Sequence, residues 1–226
     1  MSIEIPMAMV VVVASAHNPS ILHPSFLKAE GIVPADWEVI DEGLSTPALS
    51  KCGFSSGISF RCEPQRLIVK WDSLDPEIDS AKPVDVLPVV AAAYVAALPK
   101  VKYTGVGCNP IAFKEQGEAA TYLLDRFVQP GAWNSGSQRP TDAELQFRYQ
   151  RAGLNMRATL SAGTVTREVT RMEGETHTTV RHGILVRANY HIDVDGAETC
   201  LAAIGRFSEL MTDFSSYVEK DLFGWQ

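Results

Sequence analysis

The sequence predicts an α+β protein, built as two tandem β-α-β(3–4)-α units that form a largely antiparallel sheet with long helices packed on one face. Three observations predict it. Several short runs alternate apolar and polar residues, as strands with one buried face do. The last stretch repeats apolar residues at spacings of four and three, as an amphipathic helix does. The order of segments also recurs, with Asn18-Pro19 and Asn109-Pro110 each following a strand-like run and preceding a segment that can be helical. Asn bonds nearby backbone and the residue before proline is pushed out of the α region, so each pair also reads as an ordinary turn marker. One continuous antiparallel sheet gripped by the last helix, without repetition, fits the same pattern.

The first strand lies in MAMVVVVASA (Met7–Ala16), where consecutive valines suit a pleated surface covered on both faces. Glu4 is the only charge before it, so a basic leader region is missing, and the run is too short to span a bilayer. A short helix follows at Ser25–Glu30, and Pro47–Cys52 reads as a further strand. In Phe54–Glu63, Ile58, Phe60 and Cys62 alternate with Ser59 and Arg61; in Arg66–Asp72, Leu67, Val69 and Trp71 alternate with Ile68 and Lys70. The tight Glu63-Pro64-Gln65 link makes these two runs a hairpin. Pro83–Leu98, rich in Ala and Val and closed by Pro99, is a buried helix.

The second half takes the same order. Val101–Cys108 is a strand ending at the Asn109-Pro110 junction, and Lys114–Val128 is a helix with Ala120, Leu123, Leu124 and Phe127 on one side. An irregular segment, QPGAWNSGSQRPTD, precedes four strands: Glu144–Gln150, Leu154–Ala162, Thr164–Met172 and Val180–Asp193. Gly153 and Gly163 mark the first two breaks, where a positive φ is expected. Ala197–Leu222 is one long helix whose stripe runs through Cys200, Ile204, Phe207, Met211, Phe214 and Val218. The unit boundaries are 1–100 and 101–226, packed together as one compact domain.

Composition narrows the function classes. In 226 residues, 46% hydrophobic and 21% charged content supplies a normal core without disulfide staples. A net charge of −7 argues against a broad nucleic-acid footprint. Cys52, Cys62, Cys108 and Cys200 are dispersed without CxxC spacing, which fits reduced thiols in a cytoplasm.

The strings NPSILHPSFLKAEGIVP (Asn18–Pro34), FSSGISF (Phe54–Phe60) and LPKVKYTGVGCNP (Leu98–Pro110), with the terminal amphipathic helix, resemble a sporadically distributed family of uncharacterised bacterial proteins. The order of elements resembles the duplicated fold of the TATA-box-binding protein. The resemblance implies a bacterial source and a duplicated scaffold; it supplies no catalytic residues, and fold does not carry function.

The candidate chemistry is sparse. His17 with His23, or His191 with Asp193, offers two metal ligands, but HExxH, paired CxxC and a third ligand at characteristic spacing are all missing, so no metal is expected. Cys108 beside His17 would make a nucleophile pair if the two Asn-Pro junctions adjoin. Gly105–Gly107 and Gly131–Trp133 lack the flanking residues of a phosphate loop, so no nucleotide cofactor is expected. The second-half strands carry the one patterned polar surface. If Leu145, Phe147 and Tyr149 face the core, as do Met156, Ala158 and Leu160 and Ile184, Val186, Ala188 and Tyr190, then Arg148, Arg157, Arg187, Asn189 and His191 share the opposite face. This face reads either as ordinary solvated sheet or as a recognition surface, since arginine presents a planar fork to carboxylate or phosphate.

Three function classes follow. The leading one is a non-enzymatic binding or assembly protein of a bacterial cytoplasm, recognising a protein, a second copy of itself or a polar or anionic partner through a sheet face. The second is a small enzyme with a site scattered over His17, His23, Cys108 and His191. The third is a nucleic-acid binder using the local arginines.

Overall fold

Period-two alternation in the first strand sets the two faces of the entire sheet. In β1 (Ile3–Ala14), Ala8, Val10, Val12 and Ala14 are buried, whereas Met7, Met9, Val11 and Val13 remain partly exposed. The computed structural model describes residues 3–41, 43–73, 83–132, 140–170 and 176–224, apart from the side chains at 83, 167–170 and 176–177. After β1 come α1 (Pro24–Ala29), β2 (Val39–Asp41), β3 (Ser50–Phe54), β4 (Ile58–Glu63), β5 (Arg66–Asp72) and α2 (Pro83–Ala97). The second half runs β6 (Tyr103–Glu115), α3 (Ala119–Phe127), β7 (Glu144–Arg151), β8 (Leu154–Thr170), β9 (Thr176–Asp193), α4 (Ala197–Gly205) and α5 (Phe207–Ser216), ending in a π turn at Tyr217–Leu222.

The protein is mixed α and β, with one antiparallel nine-stranded sheet in the order β2-β3-β4-β5-β1-β6-β9-β8-β7. Both halves of the chain therefore enter one continuous sheet, joined where β1 pairs with β6. Register carries the buried parity of β1 outward in both directions. Val10 lies opposite Val69 of β5 and Cys108 of β6, Cys108 opposite Tyr190 of β9, Tyr190 opposite Met156 of β8, and Met156 opposite Tyr149 of β7. The helices cover this face. Leu87, Ala91, Tyr94 and Val95 of α2 join one buried core with Cys200, Ile204, Phe207, Met211 and Phe214. Among the described residues the opposite face carries no helix, so the valine run is covered on one face instead of both.

Several boundaries differ from expectation, each for a physical reason. β6 does not stop before Asn109-Pro110. Pro110 sits opposite Ala8, and β6 is registered with β9 from Cys108↔Tyr190 on to Ile111↔Arg187, so pairing on both sides carries the strand through the proline. Asn18, by contrast, lies beyond β1 and its side chain accepts from the Ser20 N–H to cap a 3-10 turn. The two Asn-Pro pairs thus occupy non-equivalent places. With β6 reaching Glu115, the following helix begins only at Ala119.

Gly163 is not a break either. It pairs with Gly183 inside the continuous β8–β9 hairpin, and a β-carbon on it would collide with the Leu185 side chain, so it serves close approach. Gly153 is a true turn residue: Ala152 and Gly153 take φ of 50° and 73° between β7 and β8, the left-handed pair of a tight hairpin. The irregular segment expected before β7 falls largely on 133–139, outside the described residues, as does the end of the expected strand at Met172.

The long terminal helix is divided. Arg206 interrupts it after Gly205, and the Arg206 guanidinium donates to the Ala152 carbonyl at 2.7 Å while gripping Glu209. Gly in a helix lowers the cost of such a break. Its stripe is nonetheless buried as expected, from Cys200 to Val218. α5 is further tied to the sheet by Asp213, which accepts from the Tyr190 hydroxyl at 2.6 Å and from Arg151 of β7 at 3.1 Å. No helix among the described residues is long and apolar enough to cross a membrane. Phe207, 2% exposed at the break, is the test of this packing. Phe207→Ala is expected to cost about 3–5 kcal/mol of stability in chemical denaturation, as for other buried aromatics.

Candidate functional site

The helix-free face gathers polar residues because side chains alternate along each strand. Inward Leu145, Phe147 and Tyr149 leave Gln146, Arg148 and Gln150 exposed on β7. Arg148 lies directly opposite Arg157 of β8, and Arg157 opposite Asn189 of β9. Asn189 donates to Asn109 Oδ1 of β6 at 2.7 Å, and Asn109 pairs with Met9 of β1, Met9 with Lys70 of β5, and Lys70 with Ser59 of β4. One row of side chains therefore crosses the sheet. Beside it, Arg187 is opposite Thr159 and Ile111, and its Nη1 donates to Ser161 Oγ at 3.0 Å. His191 forms a third row with Gly107, Val11, Ile68, Arg61 and Lys51.

The structure thus brings Arg148, Arg157, Arg187, Asn189 and His191 onto one face of three adjacent strands. All but the partly buried Asn189 are exposed. His191 Nε2 lies 3.1 Å from Asp193 Oδ1, and its ring rests over Gly105, where a β-carbon would stand 2.8 Å from Cε1. Glycine at that position makes room for the imidazole.

Electrostatics separates the two ends of the face. On the first half, three cations are neutralised in place: Glu63 bonds Arg61 at 2.6 Å and Arg66 at 2.7 Å, and Lys70 bonds Asp72 at 2.8 Å. The hydrogen bonds from Arg66 and then Arg61 hold the Glu63 carboxyl below its ordinary range. On the second half, Arg148 and Arg157 face each other without an acidic partner among the described residues. Like charges directly opposite in a sheet repel and lower stability. The sequence does not place Asn109 on this face, because Pro110 reads as a strand end, nor Met9, Lys70 and Arg61, which join it only through the pairing of β1 with β5 and β5 with β4. The alternation Gly105, Gly107, Asn109, Ile111 was the signal that β6 continues.

The scattered histidines and cysteines do not converge. Buried His17 accepts its Nε2 contact from no one; that nitrogen donates to the Val12 carbonyl at 3.2 Å, so Nδ1 accepts from the Tyr94 hydroxyl at 3.2 Å. The Cys62 thiol donates to the Glu63 carbonyl at 3.7 Å. His23 caps α1, its Nδ1 accepting from the Phe26 N–H at 3.2 Å. Cys108 lies in mid-strand opposite Val10, in an apolar pocket with Ile204 and Phe207, and the two Asn-Pro junctions do not adjoin to bring it to His17. Burial pushes the thiols up, Cys52 to about 12, Cys62 and Cys200 to about 11, and Cys108 higher still. A cavity of about 770 Å³ beside the start of α3 is lined by Thr164 and His182, which bond each other at 3.3 Å. No group of three or more metal-ligating side chains occurs among the described residues.

No protein-family model matches the chain, and no curated protein is significantly similar to it.

Two expectations follow from the buried groups. All four cysteines are buried and unpaired, so in the native protein they should resist iodoacetamide and react promptly once it is unfolded. Desolvation lowers the pKa of His17 below 6.5, so folding favours its neutral form. Below pH 6.5 the unfolded chain takes a proton that the folded chain refuses, and stability is lost as pH falls through the folded value. The urea midpoint should therefore drop between pH 7 and about 5.5, and His17→Gln should flatten that drop.

Proposed function

We propose that the protein acts by binding, recognising a polar or anionic partner on the helix-free face of its sheet through Arg148, Arg157, Arg187, Asn189 and His191. The observation that carries this reading is the Arg148–Arg157 cross-strand pair, which has no acidic partner among the described residues although the chain carries a net charge of −7. Such a pair opposes folding and gains from an anion that bridges it, since charge-assisted hydrogen bonds to arginine are stronger than neutral ones. Arg187 and Asn189 lie on the adjoining strand with hydrogen-bonding capacity left over after Ser161 and Asn109 are satisfied.

The scaffold for this face is, in our reading, two copies of one β-α-β(3–4)-α unit in a bacterial cytoplasmic protein of the family it resembles. The strand order supports it: outward from the centre the chain runs β1, β5, β4, β3, β2 on one side and β6, β9, β8, β7 on the other, each central strand coming first in its half. The unit boundaries are 1–100 and 101–226, and the non-equivalent Asn-Pro pairs lend the repeat no support.

The test is the double variant Arg157→Glu/Arg187→Glu. Both side chains are exposed, so folding should be retained, while a partner that co-purifies with the wild-type chain from its host should be lost. An unchanged set of co-purifying partners would leave these arginines as solvated surface.

A further inference from the structure

We infer that the partner is a protein segment with an apolar stripe flanked by a few carboxylates, and not a nucleic acid; this rests on the recognition reading above. The helix-free face is not uniformly polar. Met7, Met9, Val11 and Val13 of β1, with Ile68 and Ile111 beside them, form a partly exposed apolar strip down its middle. Apolar surface of this kind is stabilised by covering it with another apolar surface. The unneutralised arginines lie on one flank of the strip only, whereas on the other flank Arg61, Arg66 and Lys70 are held by Glu63 and Asp72.

A duplex does not match this layout. The eight strands from β3 to β7 span roughly 34 Å at their usual spacing of about 4.8 Å. Duplex DNA carries about one negative charge per 1.7 Å, so roughly twenty would lie along that length. Those charges would meet Glu63, Asp72 and Asp193 as well as arginines. A single strand fares no better, because unpaired bases bind by stacking on aromatic rings. Among the described residues of this face the aromatic rings are Phe113, 1% exposed and covered by the Arg181 guanidinium at 5.1 Å, and the single imidazole of His191 beside Asp193, too few to stack successive bases. An amphipathic acidic segment satisfies both features: its apolar side covers the β1 strip, and the carboxylates of one flank face β9 and β8, where Arg187 and Arg157 lie. The paired amides of Gln150 and Asn155, 2.6 Å apart, remain available at the rim for hydrogen bonds.

The experiment is fluorescence anisotropy of three labelled probes at about 0.15 M salt, where exposed long-range charge is screened. The probes are a helical peptide of about five turns with Leu on one side and Glu along its flank, a scrambled isomer, and a short DNA duplex. The patterned peptide should bind, the isomer at least about tenfold more weakly, and Arg157→Glu/Arg187→Glu should cost the patterned peptide at least about tenfold. Met9→Lys, with the fold checked by circular dichroism, should weaken the peptide and leave the arginines in place. Tighter binding of the duplex, or equal binding of the two peptides, overturns the inference while leaving an anion-recognising face standing. Failure of every probe to bind overturns it too, and the co-purification experiment then decides the recognition reading separately. Binding of any probe that is indifferent to both arginines overturns the two together.

Discussion

The antiparallel pairing of β1 with β6 joins the halves of the chain, and the phase of that pairing decides what every other strand presents. Val10 and Val12 meet Cys108 and Val106 on the helix side, so Met9 and Val11 must meet Asn109 and Gly107 on the other. Because side chains alternate strictly, this choice propagates through β9, β8 and β7 without further instruction. A slip of one residue would turn Arg187 toward the helices and Val186 toward solvent, exchanging a full core layer for charge. The buried stripe of α4 and α5 makes such a slip prohibitive. The core and the polar face are consequences of one register.

Much of this was legible in the sequence. The alternation in β4, β5, β8 and β9 and the stripe from Cys200 to Val218 gave the right faces, and parity alone assembled Arg148, Arg157, Arg187, Asn189 and His191. The errors fell where a local signal was overruled by pairing on both sides. Pro110 is a strand breaker by propensity, yet β6 lies between β1 and β9, and ladders on either side hold it straight. Gly163 looked like a turn because glycine serves turns and close contacts alike, and only the Leu185 side chain distinguishes them. The break at Arg206 depends on the Ala152 carbonyl, a partner distant in sequence. Neutralisation of Arg61 by Glu63 also needed three dimensions to see.

The chemistry that the histidines and cysteines suggested dissolves for a related reason. A nucleophile needs a base within reach and access to substrate. Tyr94 and His17 do form a hydrogen-bonded series, but it ends on the Val12 carbonyl inside the core, and burial holds the Cys62 thiol protonated. That series satisfies polar atoms beneath α2 and is structural.

The sheet's two ends are unequal, and the difference bears on edge-to-edge pairing. β2 is three residues long, too short to template another strand, whereas β7 is an eight-residue edge strand with no outer neighbour among the described residues. A second copy adding its own β7 in antiparallel fashion about Arg148 would set arginine against arginine, extending the Arg157–Arg148 repulsion by two more charges. An arginine at the middle of an edge strand thus disfavours that pairing of two copies, as charged residues on sheet edges do.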